Sequence, residues 1–395
     1  MTSLLINKGC FKSPLTLPRS KSYANRALIL GSLSPAFKTI HELPAASDVT
    51  LLLKALRQIG LVIESDKTSI VIKNSFPQCE GQAQSILTGE GGTTARFLSC
   101  LLLRGTKPYE LILGDRLKNR PWASFVKLIH ELGGRAKLEG AKLSLQGPVT
   151  LPSILEVDCS ETTQFASGLQ MVFPETTIRP VGLKSSESYW NLTRNIIHDF
   201  QQNDANTVPI DWSSASYPLA FGALKQEIDL PNLVDDPFQA DAKFLQILKQ
   251  FGSISQESSA GLTVGKFQKI VEVKFDVTDC LDLVPALAFF LAHIPGRHVL
   301  SGVGNLVHKE SDRLSEVRNL LAKFNRQTEL NGENLHITGS SEIIKNPVSL
   351  QFPDDHRMVM AGSLFLMLHS GGHISPREAV IKSFPHFFDQ VLSNS

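Results

Sequence analysis

One stretch near the amino terminus combines residue types that could bind a small anion. It reads Leu17-Pro18-Arg19-Ser20-Lys21-Ser22-Tyr23-Ala24-Asn25-Arg26. Pro18 cannot continue a strand, and Ser20 or Ser22 can cap a helix that runs on through the apolar residues that follow. The first turns of that helix would carry Lys21 and Arg26, beside backbone N–H groups that already hold a partial positive charge. Because cations here oppose the helix dipole, the sequence predicts a site for a strongly anionic small molecule.

Further basic residues stand near the starts of other predicted helices. They are Arg120, Lys309, Arg313, Arg357 and Lys382. A capped surface helix would explain one such cation, but it does not explain their recurrence at equivalent positions. Cations gathered at positive helix ends can instead neutralise phosphate and carboxylate groups. The pattern therefore favours an anion-binding protein.

The elements that must position these residues form a repeat. In each copy, one helix opens on small or polar residues, strands follow, and a second helix opens on a polar or charged cluster. First helices are predicted at Ser20, Gly92, Thr162, Ser213, Asp282 and Asp355, and second helices at Ser47, Arg120, Ser188, Asp241, Asp312 and Ser383. Equivalent positions lie about 70 residues apart, except for one step of about 50 residues between the third and fourth copies. The sequence therefore predicts six α/β units, with a change of domain near Pro209.

Length and composition narrow the class of protein. With 395 residues and 42% hydrophobic residues, the chain is expected to form two domains. A formal charge of +1 argues against a nucleic-acid partner. Runs of about 18 apolar residues are absent, as are the features of a signal peptide. The five cysteines are widely spaced, which favours a reducing compartment over a disulfide framework or a zinc site. We therefore expect a cytoplasmic protein without a membrane partner.

Seven motifs resemble the 5-enolpyruvylshikimate-3-phosphate synthase family in order and spacing. They are Leu17-Pro18-Arg19-Ser20-Lys21-Ser22 with Asn25-Arg26, Gly91-Gly92-Thr93 with Arg96, Asn119-Arg120-Pro121, Thr163-Gln164-Phe165, Asp211-Trp212-Ser213-Ser214-Ala215-Ser216-Tyr217, His308-Lys309-Glu310-Ser311-Asp312-Arg313-Leu314, and Asp355-His356-Arg357-Met358. Each motif alone is weak, but together they are specific. The resemblance runs nearly end to end, finishing at Lys382.

The resemblance implies an α/β fold, a two-domain inside-out α/β barrel of six βαβαββ-type repeats known as the enolpyruvyl transferase fold. One domain would contain residues 1–18 and 210–395, the other residues 19–209, with the active site in the interdomain cleft. Such enzymes transfer the enolpyruvyl group of phosphoenolpyruvate to the 5-hydroxyl of shikimate 3-phosphate, release phosphate, and need no metal or cofactor. We expect this reaction, in aromatic amino acid biosynthesis, from a monomer that closes on its acceptor and is inhibited by glyphosate.

The resemblance also implies which residues contact each substrate. Phosphoenolpyruvate would contact Lys21, Gly92, Arg120, Gln164, Arg313, Arg357 and Lys382. Shikimate 3-phosphate would contact Lys21, Ser22, Arg26, Thr162, Thr163, Gln164, Ser186, Tyr189, Asp282, Asn305 and Lys309. Guanidinium forks suit carboxylate and phosphate groups. Hydroxyls and amides can bind the acceptor while adding little charge.

The candidate catalytic residues implied by the resemblance are Lys21, Asp282, Glu310 and His356. Addition requires a proton at the methylene carbon and the removal of one from the hydroxyl, and elimination reverses both steps. We expect Asp282 beside the accepting hydroxyl and Glu310 at the methylene, with the order of transfers left open. Apart from the family, Asp282 could instead cap the following helix, and Glu310 could belong to an exposed ion-pair cluster.

Three positions depart from the family pattern. Arg19 replaces a usual glycine, Glu90 a common asparagine, and Thr162-Thr163 a pair of serines, which keeps the hydroxyls. A carboxylate near a bound phosphate would repel it. We therefore expect Glu90 to form a compensating ion pair with Arg19.

Three alternatives remain open. The first is a UDP-N-acetylglucosamine enolpyruvyl transferase, which would carry a cysteine on a mobile loop; Cys100 lies instead in a predicted apolar helix. The second is a non-catalytic anion-binding homologue of the same architecture. The third is a metal-dependent phosphotransferase that uses Asp354, Asp355 and His356.

Overall fold

The computed structural model describes residues 2–81, 85–183 and 187–393. Its contacts divide the chain into two compact units. The inserted unit comprises Arg19–Pro209, and the outer unit comprises Met1–Pro18 together with Ile210–Ser395. Each unit has its own hydrophobic core. The backbone N–H of Ser20 donates to the carbonyl of Pro209 in the inserted unit, and that of Asp211 donates to the carbonyl of Pro18 in the outer unit. Within each unit, the two chain ends that lead into the other unit are therefore adjacent.

The chain begins with two short strands of the outer unit and then enters the inserted unit. The strands are β1 (Leu4–Ile6) and β2 (Gly9–Phe11). The inserted unit contains α1 (Lys21–Leu33), β3 (Lys38–His41), α2 (Ser47–Gln58), β4 (Ile63–Asp66), β5 (Ser69–Ile72), β6 (Ser85–Gly89), α3 (Gly92–Leu102), β7 (Pro108–Leu113), α4 (Ala123–Glu131), β8 (Arg135–Glu139), β9 (Lys142–Gln146), β10 (Ile154–Asp158), α5 (Gln164–Val172), β11 (Thr177–Val181), α6 (Glu187–Gln202) and β12 (Ala205–Thr207).

The remainder of the chain returns to the outer unit. It contains α7 (Trp212–Lys225), β13 (Ile228–Pro231), α8 (Lys243–Gln250), β14 (Ile254–Ser258), β15 (Gly261–Val264), β16 (Lys274–Asp276), α9 (Val284–Ala292), β17 (Gly296–Ser301), α10 (Arg313–Lys323), β18 (Gln327–Asn331), β19 (Asn334–Gly339), β20 (Leu350–Gln351), α11 (His356–Leu368), β21 (Gly372–Ser375) and β22 (Val391–Ser393). No helix in the described ranges is long and apolar enough to cross a membrane.

Two stretches of chain show the full βαβαββ repeat. In the inserted unit, the order β6–α3–β7–α4–β8–β9 folds into a sheet with strand order β6-β7-β9-β8. In the outer unit, β16–α9–β17–α10–β18–β19 folds into the equivalent sheet β16-β17-β19-β18. In both sheets the first two strands are parallel and the final hairpin is antiparallel. The predicted repeat is therefore present in both units.

Other copies borrow strands from distant parts of the chain. After β10, α5, β11 and α6, the chain has no hairpin; it enters β12, which pairs in parallel with β3 of the first copy. The missing hairpin explains the short step in the repeat. In the outer unit, β1 pairs with β21 and β2 pairs with β22, so the first strands of the chain complete the last copy.

The central helices of the outer unit are apolar on all sides. Every residue of α9 and α11 is buried, which is the pattern expected for helices surrounded by other elements. Because α11 is buried from its first turn, its polar residues Asp355, His356 and Arg357 must find partners inside the unit. The core thus fixes the site residues at the start of this helix.

One predicted helix is wrong. The sequence indicated a second helix of the last copy from Ser383, with an apolar face through Phe387 and Leu392. The structure has instead a short 3₁₀ turn, Phe388–Gln390, followed by β22. Pro385 lies where the helix would have begun, and the backbone of Val391–Ser393 pairs with β2. The predicted second helix near Arg120 also begins later, at Ala123.

A chain of hydrogen bonds between two buried histidines makes the outer unit sensitive to acid. The backbone N–H of Ile344 donates to His369 Nδ1 (2.8 Å), so His369 carries its proton on Nε2 and donates to His293 Nε2 (2.8 Å). His293 in turn donates from Nδ1 to the carbonyl of Phe289 (2.7 Å). Burial lowers the pKa of His293 to about 3 and that of His369 to about 4, the latter with help from the charges of Arg326 and Lys8.

The unfolded chain therefore binds more protons than the folded one below the ordinary histidine pKa. Stability is present above about pH 6.5, and it falls by roughly 1.4 kcal/mol per pH unit per imidazole as the pH drops toward the folded values. Urea unfolding midpoints at about pH 7 and about pH 5 measure this slope. His369→Gln should flatten it, whereas the exposed His198→Gln should not; equal slopes in all three proteins would contradict the assignment.

Candidate active site

The start of α1 carries the first predicted site residues. Ser20 caps the helix by accepting from the backbone N–H of Tyr23 (3.3 Å). The next residue, Lys21, forms an ion pair with Asp48 in the first turn of α2 (2.9 Å). A methyl group on Gly91 would come within 2.8 Å of Asp48 Oδ1. Lys21 therefore lies beside the glycine turn that opens α3.

A second group in the inserted unit gathers at Gly92. A Cβ atom on Gly92 would lie 3.1 Å from Arg120 Nη1 and 3.1 Å from Gln164 Oε1. Arg96, one turn further along α3, donates to Gln164 Oε1 (2.7 Å) and to the hydroxyl of Thr162 (3.4 Å). The structure thus brings together three predicted donor-site residues of the inserted unit, which come from three different helix starts. We call Gly92, Arg96, Arg120 and Gln164 the Gly92 cluster.

The Gly92 cluster concentrates positive charge. Arg96 is fully buried; burial lowers its pKa to about 9, with the nearby charge of Arg120 adding to the effect. Within the described part of the chain, neither guanidinium forms a salt bridge with a carboxylate, and the Nε atoms of both lack hydrogen-bond partners. Two adjacent cations that form no salt bridge among the described residues favour the binding of an oxyanion.

The predicted acceptor residues of the inserted unit are only partly gathered. Thr162 and Thr163 precede α5, whereas Arg26 lies inside the unit between α1 and α6. Arg26 donates to the hydroxyl of Thr193 (2.8 Å) and to the carbonyl oxygens of Ser22 (2.9 Å) and Tyr189 (3.2 Å). These internal bonds make Arg26 a link between helices that also holds Tyr189 in place. Ser186 lies outside the described residues.

In the outer unit, the buried guanidinium of Arg313 binds three carboxylates. It donates to Asp282 Oδ1 (2.6 Å), to Glu310 Oε2 (2.6 Å) and to Asp355 Oδ2 (2.8 Å). Asp355 also caps α11, accepting from the backbone N–H of Arg357 (3.0 Å). Arg313 begins α10, so one arginine joins the starts of α10 and α11 to the turn before α9.

Arg357 forms a second set of contacts in the same network. Its Nη2 donates to Asp282 Oδ2 (3.1 Å), and its Nη1 donates to the hydroxyl of Ser213. Lys309 lies 3.5 Å from Asp282 Oδ1, and Lys382 lies 3.7 Å from Glu310 Oε1. We call the residues of this network the Arg313 cluster: Ser213, Asp282, Lys309, Glu310, Arg313, Asp355, Arg357 and Lys382.

Two neighbouring carboxyl groups, Asp282 of the Arg313 cluster and Asp241 beside it, have pKa values shifted in opposite directions. Burial of Asp282 raises its pKa, but the charges of Arg357, Lys309 and Arg313 outweigh burial and hold the pKa well below its usual range. Burial and the negative charge of Asp282 raise the pKa of neighbouring Asp241 to about 7. Asp282 is therefore ionised and can accept a proton. It does not cap α9, which removes the structural alternative for this residue.

The remaining predicted residues lie close by in sequence. His356 is buried at the first position of α11, between the capping Asp355 and Arg357. Asn305 is half-buried in the 3₁₀ turn Gly304–His308, which leads into Lys309. Glu310 is 19% exposed and is bound by Arg313 and Lys382, so it is part of a partly buried network, and the exposed-cluster alternative is wrong.

The expected ion pair between Arg19 and Glu90 is also wrong. Arg19 pairs with Glu42 (3.2 Å). The carboxylate of Glu90 accepts from the backbone N–H groups of Arg116 (3.3 Å) and Leu117 (3.1 Å). The loop after β7 therefore neutralises Glu90 with backbone donors at the start of a 3₁₀ turn, and a cation is not required.

This role of Glu90 predicts the effect of its removal. Glu90→Ala leaves two backbone N–H groups without their acceptor and should lower the free energy of unfolding by about 1–3 kcal/mol. The KM for phosphoenolpyruvate should change by less than about threefold, since the carboxylate is engaged in the loop. Urea unfolding and steady-state kinetics measure the two effects. A large fall in KM with unchanged stability would show instead that Glu90 repels the donor.

Several residues in the two clusters or in contact with the predicted site residues were not themselves predicted as site residues. They are Asp48, Arg96, Ser213, Asp241 and Asp355. Arg96, Ser213 and Asp355 lie inside motifs that carry the family resemblance, and Asp48 and Asp241 open predicted helices. The sequence therefore marked these positions as helix starts, because polar residues at helix starts recur throughout this chain. It did not predict their contacts, since their partners are distant in sequence.

Two observations bear on the alternatives. Cys100 is buried in α3, and burial raises the pKa of its thiol, so it does not lie on a loop as a reactive cysteine would. Asp355 is fully buried, and its two oxygens accept from Arg313, Ser311 and the backbone of Arg357. Within the described residues, no group of three or more His, Cys, Asp or Glu side chains is arranged to hold a metal.

Comparison with known proteins decides the family. The family model described as EPSP synthase (3-phosphoshikimate 1-carboxyvinyltransferase) matches residues 8–206 and 193–391. The chain belongs to the EPSP synthase family. It is 30% identical over 404 residues to the 3-phosphoshikimate 1-carboxyvinyltransferase of Thermococcus kodakarensis, covering 96% of each chain. It is 29% identical over 411 residues to that of Syntrophobacter fumaroxidans, again covering 96% of each. The family, its transferase class and its enolpyruvyl transfer reaction are those predicted from the motifs.

Solved structures confirm the fold class. The EPSP synthase of Acinetobacter baumannii superposes with a TM-score of 0.78 at 21% identity, covering 98% of this chain and 96% of that one. The enolpyruvyl transferase NikO from Streptomyces tendae superposes with a TM-score of 0.74 at 13% identity, with the same coverage. At these identities the likeness establishes the enolpyruvyl transferase fold.

Proposed function

We propose that this EPSP synthase family member transfers the enolpyruvyl group of phosphoenolpyruvate to the 5-hydroxyl of shikimate 3-phosphate and releases phosphate. The observation that carries the proposal is the pair of clusters. Among the described residues, the Gly92 cluster offers two cations without a salt-bridged carboxylate, and the Arg313 cluster holds ionised Asp282 beside Arg313 and Arg357. Anion binding and proton transfer are the two tasks that this addition and elimination require.

Cations in each unit are proposed to contact the donor. In the inserted unit, Lys21 and Arg120 bind it beside Gly92, where the absent side chain leaves the backbone N–H at the start of α3 accessible to an oxyanion. In the outer unit, Arg313, Arg357 and Lys382 supply further positive charge. Gln164, which accepts a hydrogen bond from Arg96, lies beside Gly92 in the inserted unit. Guanidinium forks match both the carboxylate and the phosphate of phosphoenolpyruvate.

The acceptor is bound by hydroxyls, amides and the remaining cations. In the inserted unit, the proposed acceptor contacts are Ser22, Thr162, Thr163 and Tyr189. Arg26 donates to the backbone carbonyl of Tyr189 and so holds that residue in place. Ser186, Asn305 and Lys309 complete the proposed set. Lys309 lies beside Asp282, so an acceptor hydroxyl bound there meets an ionised carboxylate.

The two carboxylates divide the proton transfers. Asp282, which three cations keep ionised, accepts the proton of the 5-hydroxyl during addition once the bound donor has taken up part of that positive charge. Glu310 is bound by Arg313 and Lys382. Donor binding gives these two cations new anionic partners, which weakens their hold on Glu310 and favours the protonated form that delivers a proton to the methylene carbon. Lys21 and His356 stabilise the charged intermediate. In elimination, Glu310 takes a proton back from the methyl carbon, the C–O bond to phosphate breaks, and Asp282 gives its proton to the departing phosphate.

Gly92 limits the size of the donor pocket. A methyl group there would lie 3.1 Å from Arg120 Nη1 and from Gln164 Oε1, closer than these atoms normally allow. Gly92→Ala should therefore raise the KM for phosphoenolpyruvate about fivefold or more, and it should weaken glyphosate inhibition. Gly265→Ala is the control, because its methyl group would meet only Glu227 at 3.8 Å. An unchanged KM in Gly92→Ala would remove Gly92 from the donor site.

The experiment that tests the proposal is a phosphate-release assay on the purified chain. With shikimate 3-phosphate and phosphoenolpyruvate together, phosphate should appear at a rate proportional to enzyme, and a chelator should have no effect. Release that requires UDP-N-acetylglucosamine would identify the other enolpyruvyl transferase. Binding without release would identify an anion-binding homologue. A monomer in the cytoplasm stays a prediction, which sedimentation and fractionation measure.

A further inference from the structure

The outer unit has a second basic cleft, away from the family motifs. It has a volume of about 890 Å³ and lies between one face of α10 and the strands β17, β18 and β19. Ser315, Arg318 and Asn319 line it from the helix. Arg297, His336 and Glu329 line it from the strands, and Arg326 lines it from the turn between α10 and β18. We call this the Arg326 cleft.

The strand register places these side chains on one face of the sheet. Arg297 on β17 is opposite Thr338 on β19, and Thr338 is opposite Gln327 on β18. His336, two residues from Thr338, is opposite Glu329. Since side chains alternate between the faces of a strand, these residues point the same way. The arrangement is a fixed polar surface built on regular strands.

Several donors in the Arg326 cleft are buried without a partner. Arg326 is 3% exposed; its Nη2 donates to the carbonyl of Glu342, but its Nε and Nη1 have no hydrogen-bond partner among the residues that the structure describes. The same holds for Arg318 Nε and His336 Nδ1. Buried polar groups are nearly always satisfied, so unpartnered nitrogen atoms on three residues around one cleft favour a further polar partner there.

The charges of the cleft indicate the sign of that acceptor. Three arginines line it, whereas Glu329 is the one carboxylate among its described lining residues, and Glu329 is already paired with Arg297 (2.8 Å). Arg318 and Arg326 form no salt bridge with a carboxylate among the residues that the structure describes. Guanidinium N–H groups bind phosphate oxygens in pairs, and a volume of this size admits a small phosphorylated metabolite.

We propose that the Arg326 cleft is a second anion site, which binds the phosphoryl group of a small molecule through Arg318, Arg326 and His336. The site is separate from the clusters assigned to catalysis, so the proposal does not rest on the proposed function. Arg313 begins the same helix that carries Arg318. A molecule bound in the Arg326 cleft therefore contacts α10, the helix that positions Arg313, a proposed donor-binding residue.

Calorimetric titration of the full chain with inorganic phosphate tests the site. Arg318→Gln with Arg326→Gln should weaken one class of phosphate sites about tenfold or more, because charge-assisted bonds are lost. The kcat/KM for the proposed reaction should stay within about threefold, since no residue of either cluster is changed. The matched control is Arg179→Gln with Arg194→Gln, two exposed arginines of the inserted unit. Identical titrations of all three proteins would overturn the proposal.

Two additions keep the test decisive. Arg318→Gln alone, at a half-buried side chain, serves if the double variant does not fold, and it should show the same loss to a smaller degree. Titration with glucose 6-phosphate separates the two sources of a phosphoryl group. Tighter binding than inorganic phosphate supports a phosphorylated metabolite, and weaker binding supports free phosphate. Retention of full phosphate affinity by Arg318→Gln contradicts the site.

Discussion

Replacing Arg357 by alanine is expected to lower kcat/KM for phosphoenolpyruvate by about a hundredfold or more, since a buried charge pair is broken. The guanidinium of Arg357 contacts Asp282 and Ser213, and burial keeps it from exchanging these partners for water. In the proposed reaction, its removal takes away a cation that binds the donor. Most of the effect should appear in the KM for phosphoenolpyruvate.

The inserted unit should respond in the same way if both clusters serve one reaction. Arg120→Ala is expected to raise the KM for the same substrate, because Arg120 lies beside Gly92. Arg179→Ala, at an exposed arginine of β11, is the matched control and should leave kinetics unchanged. A near-normal kcat/KM in Arg357→Ala would refute its assignment as a donor-binding residue.

The second large effect is expected for Asp282→Asn. The amide keeps the shape and can still accept from Arg313, but it cannot take up a proton at neutral pH. We expect kcat to fall by about 10²–10⁴, with a much smaller change in the KM for shikimate 3-phosphate. Steady-state kinetics with both substrates measure the two constants. The control is Asp389→Asn, which removes the charge of an exposed carboxylate that contacts His386.

The low pKa of Asp282 also predicts how the wild-type rate depends on pH. Because neighbouring cations hold the pKa of Asp282 well below its usual range, this carboxylate stays charged through mildly acidic pH. The wild-type rate should therefore not lose its base as pH falls from about 7 to about 5. A catalytic loss confined to KM, or a full rate in Asp282→Asn, would show that Asp282 only orients Arg313 and Arg357.

The sequence predicted local features of the site well, because helix starts are encoded locally. Ser20, Asp312 and Asp355 were each placed at a helix start, and each accepts a backbone N–H of the first turn. Gly60, Gly133 and Gly252, which follow the ends of α2, α4 and α8, adopt the positive φ that this position favours. Short-range rules suffice for such features, since the interacting atoms lie within a few residues.

The partners of the charged residues could not be predicted, because they depend on how distant elements pack. Lys21 meets Asp48, and Arg313 meets Asp282, across separations that no spacing rule covers. Arg19 was assigned to Glu90 from their similar places in the repeat, yet Glu42 is nearer in the fold. The helix predicted from Ser383 was wrong for the same reason, because β22 is fixed by pairing with β2 at the other end of the chain.

The most direct test of the central claim follows the reacting carbon itself. Phosphoenolpyruvate labelled at its enol carbon is mixed with shikimate 3-phosphate and this chain, and the label is observed by nuclear magnetic resonance. We predict that the signal moves to an enol ether of the acceptor while inorganic phosphate appears in equal amount. A label that stays in phosphoenolpyruvate, or that moves without the acceptor, would contradict the account.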